Sequence, residues 1–309
     1  MATTRKITPF MGTKSARSAK GFNAAVFGAP HGTPYRGIDN RVHATAPNHF
    51  RVALKDDSAW LDHWDFDLNG PLLPNQNFKA VDLGNIATKS PDGRGNRKKI
   101  ETTTRAILKE GAVPIMFGGD DSTPIPFITA FSGGPPLTIL QIDAHIDWRE
   151  ERYGEKHGFS STMRRASEQS HIWRIVQAGA RGLGSARKAE VDAAREWGAH
   201  IITSQSIHQH GLAQVLQHIE PESNCLITLD LDALDTSEMP AVAHPSPGGL
   251  SFHQVTSLIA GVAAKAHIAG FAMVEFVPKR DQDGAFGYTA ARIAAHVLGY
   301  IARQKSQND

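Results

Sequence analysis

Leu137-Thr138-Ile139-Leu140-Gln141-Ile142-Asp143-Ala144-His145-Ile146-Asp147 joins a short apolar run to three potential metal ligands on alternate residues. A run of this length and composition, closed by polar residues, predicts a β-strand that delivers its ligands at its carboxyl end. Side chains two apart on a strand share a face, so Asp143, His145 and Asp147 are expected to converge on one point. Carboxylate and imidazole together suit a borderline-hard divalent cation such as Mn²⁺, Ni²⁺ or Zn²⁺. Alone, the pattern reads equally well as a strand end in a solvated turn, so its meaning depends on partners elsewhere in the chain.

Working outward, short apolar runs alternate with longer helical patterns from about residue 24 onward. That alternation predicts parallel strands joined by right-handed crossover helices. The expected strands are Ala24–Gly28, His63–Leu68, Val113–Phe117, Leu137–Ile142, Ile172–Gly179, His200–Thr203, Cys225–Leu231 and His267–Val274. Helical patterns cover Arg97–Glu110, Ile125–Phe131, Ser160–Glu168, Ala186–Trp197, Ser206–Ile219, Phe252–Ala266 and Ala285–Ala302. Several strands are almost wholly apolar, as strands covered by helices on both faces are. The expected fold is therefore α/β, a three-layer α-β-α sandwich around a central, mostly parallel eight-stranded sheet. The loops over residues 28–50 and 69–96 are too long for plain connections and are expected to form pocket walls or subunit contacts.

Three further strands end in loaded sequences: Gly118-Gly119-Asp120-Asp121-Ser122, Asp230-Leu231-Asp232-Ala233-Leu234-Asp235 and Glu275-Phe276-Val277-Pro278. In an open parallel sheet the carboxyl ends of the strands are where ligands bind. So many carboxylates at one sheet edge repel one another, and a bound metal pair would relieve that repulsion.

With 309 residues and 40% hydrophobic side chains the chain can bury a large core, and no composition break forces two domains. Its 33 basic and 31 acidic residues create no global field for nucleic acid or anionic membrane, which leaves a small-molecule partner as the default. The single cysteine, Cys225, sits in an apolar run and reads as a buried, inert thiol, in keeping with a reducing, cytoplasmic location. No apolar run is long enough to span a bilayer. The opening segment is basic, with no acidic residue before Asp39. That composition fits a transit peptide, but the reading taken is a flexible arm over residues 1–20 that packs on a neighbouring subunit. A single catalytic domain over residues 21–309 follows, and removal of residues 1–18 is expected to leave the chemistry intact.

The ordered set G-G-D-x-S, D-A-H-x-D, His157-Gly158, D-x-D-x-x-D and the late Glu275 resembles the ureohydrolase family, the manganese-dependent enzymes that include arginase and agmatinase. The resemblance covers roughly residues 22–302. The short spacing from Asp147 to His157, with the sequence from Phe159 to Ala166, is closer to the agmatinase branch. It implies a binuclear centre bridged by Asp143 and Asp230. The more exposed metal would also take Asp121 and Asp147, and the other His145 and Asp232. Two divalent ions are implied, Mn²⁺ first and Ni²⁺ as the alternative. Glu275 would bind the guanidinium of the substrate and His157 would shuttle the proton to the leaving amine. Trimers or hexamers, or a heteromer, are the assemblies the resemblance implies. Asp120 is the preferred residue for orienting ligands, while Arg181, Trp148, Trp173 and Trp197 carry no signal separable from packing or surface roles.

Two positions depart from the family pattern. Asp121 stands where arginase and agmatinase usually carry histidine, which adds negative charge and hard oxygen donors to the site. His244 stands in the loop beside the expected guanidinium pocket, where it would narrow the pocket or offer a polar contact. These departures point away from agmatine toward a guanidino acid, guanidine, or a small alkylated guanidine or biguanide such as metformin. The expected activity is metal-dependent hydrolysis of a guanidino C–N bond, releasing urea or a urea derivative and an amine. A non-catalytic subunit of a hetero-oligomer is the competing reading. A histone-deacetylase-like zinc hydrolase would not need the second D-x-D pair, and a dinucleotide-binding dehydrogenase lacks its G-x-G-x-x-G after the first strand.

Overall fold

Leu140 and Ile142 enter one apolar core while Leu137 and Ile139, on the same strand, enter another. Ala24 and Val26 likewise part from Ala25 and Phe27. This period-two division places a sheet between two layers. The computed structural model describes residues 8–74, 76–184 and 186–306. Its strands are β1 (Lys14–Ser15), β2 (Ala24–Gly28), β3 (Trp64–Asp65), β4 (Gly70–Pro71), β5 (Ala80–Asn85), β6 (Val113–Phe117), β7 (Leu137–Ile142), β8 (Ile172–Ala180), β9 (His200–Thr203), β10 (Asn224–Asp230) and β11 (His267–Val274). Nine of them form one sheet in the order β1-β5-β2-β6-β11-β10-β7-β8-β9, and every pairing is parallel.

The helices are α1 (Ala46–Ala53), α2 (Gly93–Lys109), α3 (Pro124–Thr129), α4 (Thr162–Ser167), α5 (Lys188–Trp197), α6 (Ser204–His210), α7 (Ala213–Leu216), α8 (Phe252–Lys265) and α9 (Ala285–Ser306). Helices α1, α6, α7, α8 and α9 supply one core, and α2 to α5 the other. On α8 the buried residues Val255, Leu258, Ile259 and Val262 fall at helical spacing and form its inward stripe. Its start is held by a capping box in which Ser251 Oγ accepts from Gln254 N and Gln254 Oε1 accepts from Ser251 N, at 3.1 and 2.9 Å. Helix α5 stops at Gly198, whose φ of 99° needs no Cβ penalty. The helix expected over Ser206–Ile219 is two helices, broken at Gly211.

The sheet has nine strands rather than eight, and two of its strands were not anticipated. β5 was hidden because Asp82, Gly84 and Asn85 are poor strand formers. Asp82 is tolerated there because Arg51 of α1 forms a forked pair with it, at 2.7 and 2.9 Å, with both side chains buried. The expected strand His63–Leu68 lies outside the sheet. Only Trp64–Asp65 of it is extended, paired antiparallel with β4. The arm expected over residues 1–20 contacts the sheet from Phe10 on: β1 adds an edge to β5, and Phe10 is fully buried with its N–H on Asp82 at 2.8 Å. Residues 1–7 of that arm lie outside the described residues. Among the described residues, no helix is long and apolar enough to cross a membrane.

Candidate metal centre

Strands β6, β11, β10 and β7 lie side by side in the middle of the sheet, and they are the four that end in carboxylates. The chain passes from β6 to β7 leaving a space that β11 and β10 later fill. Such a switch opens a crevice at the carboxyl edge of a parallel sheet. A cleft of about 500 Å³ lies there, and its walls include Asp121, His145, Asp147, Asp230, Asp232 and Glu275.

Each side chain is placed by its local sequence. After β6, a Cβ on Gly119 would lie 2.5 Å from the carbonyl oxygen of Pro30, so only glycine lets the chain turn there. Asp120 Oδ1 accepts from the backbone N–H and the hydroxyl of Ser122 and so fastens this turn. Asp121 faces the cleft, and its N–H donates to Glu275 Oε1 at 2.9 Å.

β7 ends at Ile142, and beyond it the chain is not extended. A turn, and not strand alternation, therefore places Asp143 beside both His145 and Asp147, which fall in separate donor groups. Asp143 Oδ1 accepts from the N–H of His145 at 2.6 Å, and Asp147 takes a left-handed φ of 45°. Glu275 is also left-handed, with φ 69°. Such conformations cost on the order of 1–3 kcal/mol each and concentrate at functional sites. Gly179 of β8 makes room for the turn, since a Cβ there would sit 2.8 Å from the carbonyl oxygen of Asp143.

Two groups of donors result, and Asp143 belongs to both. Asp143, His145 and Asp232 form one and Asp121, Asp143 and Asp147 the other, with the donor atoms of each within 4.8 Å of one another. His145 Nδ1 lies 3.3 Å from Asp143 and 3.2 Å from Asp232. Asp230 lines the same cleft but belongs to neither group, and its Oδ1 accepts from the N–H of Asp232 at 2.8 Å.

Burial pushes the carboxyls of Asp121, Asp143, Asp147 and Asp230 up, and the charges of neighbouring aspartates push them further. Burial acts the same way on Asp232, but the hydrogen bond and charge of His145 outweigh it and hold that carboxyl below its usual range. Burial lowers the affinity of His145 for a proton, yet Asp143 and Asp232 push its pKa up to about 12. Glu275 is raised to about 7, chiefly by burial. Asp121 Oδ2 is buried with no hydrogen-bond partner among the described residues. This crowd of carboxylates around one imidazole fits a pair of hard divalent cations. A third cluster, Asp65, Asp67 and His296, already holds a cation: Arg292 reaches Asp65 at 2.8 Å and Asp67 at 3.2 Å.

Other expected residues fall differently. His244 lines the cleft, its ring centroid 6.3 Å from that of Phe159. His157 is not among the cleft-lining residues, and its Nδ1 lies 3.3 Å from Glu155. Arg181 is not mere packing. Its guanidinium donates to the carbonyls of Asp232 at 2.6 Å and Ser246 at 2.9 Å, clamping the ligand turn to the His244 loop. Residues that sequence reasoning missed include Gln141 and His43, which hold site carboxylates, and Arg149 and Arg152, which share the cleft. Only Gln141 left a signal, as a polar residue in phase with Asp143 inside an apolar run.

The sequence signature of the arginase family spans residues 22–301. The chain belongs to the arginase family. It is similar to the N(1)-aminopropylagmatine ureohydrolase of Thermococcus kodakarensis, 27% identical over 77% of this chain and 78% of that protein. Among solved structures it resembles the proclavaminate amidino hydrolase of Streptomyces clavuligerus, with a TM-score of 0.83 at 24% identity over 97% of this chain and 98% of that one. It also resembles Trypanosoma cruzi formiminoglutamase with Mn²⁺, with a TM-score of 0.77 at 19% identity over 96% and 99% of the two chains. The arginase-family chain is thus a hydrolase acting on amidino C–N bonds, of a kind in which a binuclear divalent metal centre is typical. A non-catalytic subunit is not favoured.

Proposed function

We propose that this protein hydrolyses the guanidino, or closely related formimino, group of a small substrate that carries a carboxylate at its other end. The observation that carries this reading is the charge pattern of one cleft. Its acidic floor suits metals and a guanidinium, while Arg149 and Arg152 line the same space. The guanidinium of Arg152 has no hydrogen-bond or carboxylate partner among the described residues and instead lies over the rings of Tyr35, Tyr153 and Phe159. A substrate carboxylate matches its fork. The distal ammonium of agmatine would meet like charge instead. A cleft of about 500 Å³ suits a small molecule.

In this reading Asp121, Asp143, His145, Asp147, Asp230 and Asp232 hold two divalent ions, with Mn²⁺ favoured by the oxygen-rich donor set and Ni²⁺ the alternative. When bound, the metals supply Lewis acidity and an acidified water. Glu275 orients the guanidinium and fixes which face of its carbon is exposed to attack. His244 is the cleft histidine outside the ligand set, and burial lowers its pKa, so near neutral pH its ring is uncharged and can relay a proton toward the leaving amine. In this reading His244, which lines the cleft, takes the proton-relay role expected of His157.

The test is urea and amine release by Mn²⁺-loaded protein from guanidinoacetate and its longer homologues, set against agmatine. The carboxylates should be preferred, and Arg152→Met should raise their KM by about tenfold while sparing agmatine. Preference for agmatine, or an unchanged KM in Arg152→Met, contradicts the carboxylate assignment.

A further inference from the structure

His43 lies in the long loop between β2 and α1, far in sequence from the ligand set, yet its side chain is buried against the end of β11. Its two ring nitrogens have different tasks. Nδ1 is 2.9 Å from the carbonyl oxygen of Phe276. A carbonyl can only accept, so Nδ1 carries a proton and the ring orientation is set. Nε2 then faces Glu275 Oε2 at 3.4 Å, a separation at which the ring, protonated on both nitrogens, pairs with the carboxylate by charge and not through a short hydrogen bond. The other carboxylate oxygen of Glu275 accepts from the N–H of Asp121 at 2.9 Å, and the N–H of Glu275 is held by the carbonyl of Gly119 at 2.9 Å.

Glu275 is a left-handed residue at a strand end, and a side chain there would sample several rotamers if its carboxylate had only the backbone contact. We propose that His43 is the positioning residue for Glu275: anchored on the Phe276 carbonyl, its ring holds the Glu275 carboxylate in the one orientation that presents it to a guanidinium in the cleft. The inference rests on the guanidino reading of the site and adds to it the part that sets substrate affinity. His43 touches neither substrate nor metal ligand and acts only through Glu275. Forked recognition of a guanidinium demands a fixed carboxylate plane, so loosening it weakens binding before it slows chemistry.

Three substitutions in the full-length, metal-loaded protein separate the contacts. His43→Asn keeps a donor near the Phe276 carbonyl but cannot reach Glu275. His43→Gln reaches Glu275 with its terminal amide, and His43→Ala removes both contacts. Measured on a guanidino acid that the wild type hydrolyses, His43→Asn should raise KM by about tenfold while kcat changes by less than about threefold and metal content stays at the wild-type level. His43→Gln should recover most of the lost affinity. In a Glu275→Gln background, His43→Asn should add no further loss, because the residue it acts through is already gone. A wild-type KM in His43→Asn, a KM defect that His43→Gln does not relieve, or fully additive losses with Glu275→Gln would each overturn the proposal. If the wild type itself hydrolyses no guanidino or formimino compound, the functional reading fails and this inference fails with it. Turnover by the wild type with an indifferent His43→Asn overturns the inference alone.

Discussion

Nε2 of Gln141 donates to Oδ2 of Asp147 at 2.6 Å, and the same nitrogen reaches Oδ2 of Asp143 at 2.8 Å. One amide thus holds two carboxylates that belong to one candidate metal group. Gln177 of β8 donates to Oε1 of Gln141 and to the carbonyl of Ile146, so a directed chain of amides runs from the neighbouring strand to the ligands. Partners of this kind set ligand orientation, and their loss typically costs about 10–100-fold in metal affinity or activity. Gln141→Leu is accordingly expected to weaken Mn²⁺ binding by roughly that factor, read by metal titration. Affinity equal to wild type would show that the ligands hold themselves.

The resemblance to the ureohydrolase family places Asp121 at a position where histidine is expected. Both residues can ligate, so Asp121→His should retain or raise Mn²⁺ occupancy by elemental analysis, whereas Asp121→Ala should lower it. Loss of metal in Asp121→His would remove Asp121 from the ligand set.

How legible was this site? Its acidic half was readable because D-x-H-x-D, D-x-D and the late glutamate follow apolar strands, and adjacency of β6, β11, β10 and β7 then brings them together. What could not be read is what long-range contacts supply. β5 carries Asp82 at a position whose meaning depends on Arg51, and His43 acquires a role only by packing against Phe276. Arg152 reads as an ordinary surface charge until the rings of Tyr35 and Phe159 place it in the cleft. A flexible arm is the expectation because positive charge and small residues dominate residues 1–20, whereas Phe10, fully buried with its ring centroid 5.0 Å from that of Phe117, packs against the core.

The buried Arg51–Asp82 pair joins α1, β5 and the N-terminal segment. Removing one partner of such a pair leaves an uncompensated charge and typically costs about 3–5 kcal/mol. Asp82→Ala should lower stability to denaturant by about that amount. A change below about 1 kcal/mol would mean that water or another group takes over, since surface substitutions without a structural role fall in that range.

The raised carboxyls predict an inverted pH response for the metal-free protein. A group whose folded pKa exceeds its unfolded value contributes stability that is lost as pH rises through the folded pKa. For Glu275 that contribution is complete below its ordinary 4.5 and is lost as pH rises through about 7. Asp121, Asp147 and Asp230 act in the same direction. Chelator-treated protein should therefore melt at a lower temperature above pH 7 than near pH 5, and added Mn²⁺ should raise the melting temperature most at the higher pH. An equal Mn²⁺ effect at both would contradict the electrostatic account of the cleft.

The central claim is that these carboxylates and His145 hold a pair of divalent metals that work on a guanidino carbon. Stepwise Mn²⁺ addition to chelator-treated protein, with bound metal and urea release from a guanidino acid followed together, tests it most directly. Activity that rises to a plateau as a second equivalent binds, and that disappears in Asp143→Ala together with both equivalents, is the predicted result. Full urea release without bound metal, or metal binding that Asp143→Ala leaves intact, would contradict it.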